Sequence, residues 1–79
     1  MPRGIKNWKY KNVIKFLNEN GFIFSHQLGG SHEKWINEET SCIVEINKHG
    51  NKEFLPRTLE TMIRQSGIGK KEWRKWAGK

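Results

Sequence analysis

In "GGSHEKW", residues 29–35, a histidine is followed two positions later by a lysine, and this is the pairing in the sequence best suited to chemistry on a phosphate ester. Imidazole takes or gives a proton near neutral pH, because its ordinary pKa is about 6.5. If the run is a strand, His32 and Lys34 share one face, roughly 7 Å apart along the backbone, so the ammonium can reach a phosphate held at the imidazole. Ser31 either positions that phosphate or simply suits the turn. His49 and Lys52, in the polar run "NKHGNKE", are further candidates for an acid or a phosphate contact, set against the plainer reading of a turn around Gly50.

Other chemistries find less support. A zinc site needs Cys and His at ligand spacing, and His26, His32, Cys42 and His49 form no C-x-x-C or H-x-x-x-H pattern, so neither a metal nor another cofactor is expected. Glu38 and Glu39 are neighbours in a turn with no second acidic cluster, a poor basis for a carboxylate dyad or a two-metal nuclease. "LGGS" lacks the G-K-[ST] close of a phosphate-gripping loop. His26 alternates onto the side of Phe22 and Phe24, and is expected to pack there or at its rim.

The elements that must position these groups follow from periodicity. Tyr10, Val13, Ile14 and Leu17 recur at helical spacing between Asn7 and Asn20, and Gly21 supplies a helix end. "FIFSHQ" reads as a strand, with Phe22 and Phe24 inward. "SHEKWIN" places Glu33 and Trp35 on one face and His32, Lys34 and Ile36 on the other, while "CIVEI" turns Cys42, Val44 and Ile46 inward. Short links make the three strands an antiparallel meander. A second helix begins near Pro56, buries Leu59, Met62 and Ile63, and stops at Gly67. "KKEWRKW" adds a short helical tail whose Trp73 and Trp76 fold back on the body. The expected architecture is α+β, a three-stranded antiparallel sheet with two helices on one face and the other face open. Residues 1–79 form one domain with one modest core.

Charge suggests what the open face meets. Fifteen Lys and Arg stand against eight Glu, for a net charge of +7. Residues 1–15 and 70–79 are the basic flanks, and such polarity favours a polyanion, most often nucleic acid, over a basic surface that merely aids solubility. Trp8, Trp35, Trp73 and Trp76 can stack on unpaired bases, though Trp35 reads as core and the tail pair leans the same way. Lone Cys42 excludes an internal disulfide. With no signal-type or membrane-length apolar run, a cytoplasmic setting is expected.

The succession "VIKFLNENGF", "GSH", a strand and "HGNKEFLPRTLETMIRQSGI" resembles the HicA type of small bacterial toxins, from about Val13 to Trp73. Its strongest pieces are Gly30-Ser31-His32 and Thr58 to Ile68. The resemblance implies a fold like that of double-stranded RNA-binding domains, α-β-β-β-α. It also implies metal-independent cleavage of messenger RNA with His32 as the catalytic residue, and a HicB-like antitoxin that covers the active site. RNA contacts are then expected from Ser31, Lys34, His49, Lys52 and the tail cations Lys70, Lys71, Arg74 and Lys75. The chain departs from the family pattern twice: the link into "GSH", written "LGGSH" here, is one residue longer than usual, a place for a bulge that re-aims His32, and Glu33 stands where a second histidine is common. A non-catalytic RNA-binding module of the same fold, and a protein that chiefly binds an acidic partner, are the rival readings.

Overall fold

The computed structural model describes residues 8–48 and 52–77. Its order is α1 (Tyr10–Glu19), β1 (Ile23–Gln27), β2 (His32–Asn37), β3 (Cys42–Asn47), α2 (Pro56–Ser66) and α3 (Lys70–Ala77). The strands form one antiparallel sheet in the order β1-β2-β3. This is the expected α+β arrangement, α-β-β-β-α, with the tail as a third helix.

Helix α1 starts at Tyr10, the first residue of its apolar stripe. Lys9 is extended and forms an antiparallel bridge with Glu53, and Phe54 N–H donates to the Trp8 carbonyl at 2.8 Å. The chain before α1 is therefore tied to the chain before α2, and Asn12 Oδ1 accepts the Lys9 N–H at 2.9 Å at the helix start. Val13 and Leu17 are buried as expected, but so is Phe16, on the flank of that stripe. The tail explains it. Phe16 lies between Trp8, Trp73 and Trp76, with its ring centroid 4.4 Å from that of Trp73, so α3 covers a side of α1 that an amphipathic reading leaves wet.

Trp8, Val13, Phe16, Leu17, Phe22, Trp35, Val44, Ile46, Phe54, Leu59, Met62, Ile63 and Trp73 make one buried cluster, with Cys42 and Trp76 packed against it. In β2, Glu33, Trp35 and Asn37 face this core while Lys34 and Ile36 do not. Buried Asn37 ties two turns together: its amide donates to the Asn20 carbonyl at 3.1 Å, and its Oδ1 accepts the N–H groups of Glu39 and Thr40. Helix α2 ends at Gly67, whose φ of 74° and whose Cα, facing Cys42 Sγ, leave little room for a side chain.

Phe24 departs from expectation. It is 47% exposed although it sits on the inner side opposite Trp35. β1 is an edge strand that the helices do not cover, so Phe24 gains only an edge-to-face contact with Trp35, at 5.8 Å between centroids.

Candidate active site on the open sheet face

Residues directly opposite each other in antiparallel strands point to the same side of the sheet, so the pairing of β1, β2 and β3 spells out the open face. One rank across it is Ile23, Ile36 and Ile43, with Ile23 and Ile43 exposed. The next is His26, Lys34 and Glu45. At the end of the sheet, His32 stands opposite Asn47. His32 is exposed and, among the described residues, its imidazole has no hydrogen-bond partner. Its backbone is held firmly: its carbonyl accepts Leu28 N–H at 2.8 Å, and its N–H donates to the Gly29 carbonyl at 3.3 Å. Gly30, at φ 63°, makes the turn, and Gln27 Nε2 donates to its carbonyl at 2.8 Å.

The expectation for His26 is corrected here. β1 carries an irregularity between Phe24, which pairs with Trp35, and His26, which pairs with Lys34, so Ser25 is an extra residue in the strand. Strict alternation would have sent His26 inward with Phe22 and Phe24. The bulge turns it onto the open face instead, exposed, with Nδ1 3.0 Å from Ser25 Oγ. The chain's bulge thus re-aims His26, upstream of the long "LGGSH" link, and His32 keeps its outward register.

Behind His32, the inner face carries a polar network that the spacing of residues did not disclose. Glu33 is 7% exposed, and its Oε1 accepts the Tyr10 hydroxyl at 2.7 Å and the Trp35 indole N–H at 3.1 Å. Burial, then the hydrogen bond to Glu33 and the carboxylate's charge, push the Tyr10 pKa up to about 12, so Tyr10 stays a protonated donor. Lys48 completes the group, with Nζ 5.4 Å from the centre of the Tyr10 ring and its N–H donating to the Ser31 carbonyl at 2.9 Å. A cation is thereby fixed at the His32 end of the sheet. Its only signal in the sequence is that it follows directly on the strand that pairs with His32.

The other expected residues fall into separate groups. Lys34 is half-buried, with Glu45 across from it but no ion pair between them among the described residues. Ser31 is exposed and its carbonyl is taken by Lys48. Lys52 is exposed beside the Lys9–Glu53 bridge, and His49 lies outside the described residues. Lys70 is paired with Glu60, while Lys71, Arg74 and Lys75 are exposed on the side of α3 opposite buried Trp73. Trp76 Nε1 donates to Glu19 at 2.8 Å. The end of α3 therefore lies by the last residue of α1, whereas Glu33 bonds the first, a helix length of roughly 14 Å away. The tail cations do not join His32 in one pocket. Among the described residues, no three His, Cys, Asp or Glu side chains gather where they can hold a metal ion, and no helix is long and apolar enough to cross a membrane.

Comparison with known proteins agrees with this geometry. A family model described as the HicA toxin of bacterial toxin–antitoxin systems matches residues 10–68, from the first turn of α1 to just past α2. Neither the curated proteins nor the solved structures contain a match. The matched span holds the whole sheet, both helices that cover it and the Gly30-Ser31-His32 motif, and the chain belongs to the HicA family of toxins, the toxic halves of bacterial toxin–antitoxin pairs.

Proposed function

We propose that the chain is an endoribonuclease that cuts messenger RNA, with His32 as a general acid or base and without a metal ion. The observation that carries this reading is the exposed imidazole of His32 on the open sheet face, without a hydrogen-bond partner among the described residues, within the span the family model matches and on the same side as Lys34. In such a cut the 2'-hydroxyl attacks the adjacent phosphorus, one side chain takes its proton, another protonates the leaving 5'-oxygen, and cations offset the charge that builds on the phosphate. Lys34, on the same face, supplies positive charge beside His32, and Lys48 adds a cation at the same end of the sheet, behind it. Ser31, next to His32 in sequence, is a further phosphate contact, His49 and Lys52, which follow β3 in the sequence, are others, and Lys70, Lys71, Arg74 and Lys75 hold more distant stretches of the strand. A HicB-like antitoxin silences the activity by covering the open face.

Incubating the purified chain with a messenger transcript and EDTA tests this directly. Cleavage by the parent, lost in His32→Ala while RNA binding persists, is the expected result. Binding without cleavage by the parent would make the protein an RNA-binding module instead.

A further inference from the structure

We infer that His26 is the second proton-transfer group of this site, facing His32 across a shared phosphate; the inference rests on the ribonuclease reading above. Its basis is the bulge at Ser25. Because that extra residue switches the alternation of β1, His26 stands opposite Lys34, and Leu28 N–H reaches the His32 carbonyl two positions along. His26 and His32 are thus diagonal neighbours on one face, about 7–8 Å apart by the geometry of such pairs, with Lys34 as the third corner of the triangle. Both histidines are exposed. Ser25 Oγ, 3.0 Å from Nδ1 of His26, orients that ring and leaves Nε2 for a substrate.

The chemistry asks for this arrangement. The attacking 2'-oxygen and the leaving 5'-oxygen lie on opposite sides of one phosphorus, so the base and the acid must reach in from two directions, each within about 2.6–3.2 Å of its oxygen. One imidazole, neutral, takes the 2'-hydroxyl proton as the O2'–P bond forms. The other, protonated, gives its proton to O5' as the P–O5' bond breaks. The number of protons on the pair is unchanged, and exchange with water restores each ring to its starting state. Lys34, between the two, meets the phosphate's charge, and Glu45 across from Lys34 is the acidic group sharing the face. The bulge on this edge strand also fits: bulges are common next to active sites, where they re-aim a side chain.

The test uses the full chain and a messenger transcript on which the parent's cleavage position is first mapped. Two oligoribonucleotides spanning that position are then compared, one natural and one with sulfur in place of the bridging 5'-oxygen, because a thiolate leaves without a proton. His26→Ala and His32→Ala should each slow cleavage of the natural linkage by about 100- to 10,000-fold with RNA affinity and circular dichroism kept, and sulfur should restore one of the two variants and not the other. Parent-like cleavage by His26→Ala beside an inactive His32→Ala would overturn the inference and leave the ribonuclease reading standing. So would a loss of affinity that accounts for the loss of rate, which marks a phosphate contact only, or restoration of both variants or of neither. A parent that binds the transcript without cutting it would remove both readings together.

Discussion

Replacing Tyr10 by Phe removes one oxygen atom and tests what holds β2 in register. The ring and its packing under Lys48 remain, while Glu33 loses its 2.7 Å hydrogen bond and keeps only the 3.1 Å bond from Trp35. Hydrogen bonds to charged groups contribute about 1.5–3 kcal/mol, and an acceptor left short in a buried place does not recover that from water. A chain of this length has a total stability of about 4–12 kcal/mol, so the change removes a large fraction. The melting temperature should fall on the order of 10 °C, and the urea midpoint by about 1 M, with an unchanged slope. Tryptophan fluorescence in a urea series reads both. A midpoint equal to the parent's would mean that Glu33 is solvated rather than held by Tyr10, and the anchoring of β2 behind His32 would fall with it. A double-mutant cycle with Glu33→Gln isolates the pair: each change alone should cost more than its addition to the other.

The burial of Tyr10, together with this bond and the Glu33 charge, sets a pH dependence. The Tyr10 pKa is raised from 10.0 to about 12 in the folded protein, so its contribution is fully present below pH 10 and is lost as pH rises through about 12. The stability gap between the parent and Tyr10→Phe, measured by urea midpoints, should shrink over that window, and a constant gap would contradict the cause given for the shift. Gly67→Ala should cost about 1–2 kcal/mol in the same assay, since φ is 74° and an added Cβ comes within 3.0 Å of Cys42 Sγ; unchanged stability would mean the α2 cap is not as described. RNA affinity should fall with salt, with a logarithmic slope of about 0.7 per neutralised phosphate on a single strand, and Lys71→Ala, Arg74→Ala and Lys75→Ala together should flatten it. An unaltered slope would place the α3 cations outside the RNA path.

Much of the fold could be read from periodicity because local pattern and burial agree where an element is covered on one side only. Val13 and Leu17, the alternation of Glu33, Trp35 and Asn37 against His32 and Lys34, and the Leu59, Met62 and Ile63 stripe are of this kind. Phe16 escaped because its cover is α3, more than fifty residues further on, and no helical period announces a second helix packing on a flank. Phe24 was misplaced for the opposite reason: its face is inward, but nothing lies over an edge strand there. At the site, His32 and Lys34 were legible from two-residue spacing. His26 was not, since a single inserted residue reverses the facing of everything after it and leaves no mark in composition. The Tyr10–Glu33 bond joins residues 23 apart in sequence and needed the fold itself.

The central claim, that His32 moves a proton while a 2'-hydroxyl attacks its neighbouring phosphate, is tested most directly by the ends of the RNA products. The purified chain, with EDTA present, should leave a 2',3'-cyclic phosphate on the upstream fragment and a 5'-hydroxyl on the downstream one, and His32→Ala should slow the appearance of both by about 100- to 10,000-fold. Fragments carrying a 5'-phosphate, or undiminished cleavage by His32→Ala, would contradict it.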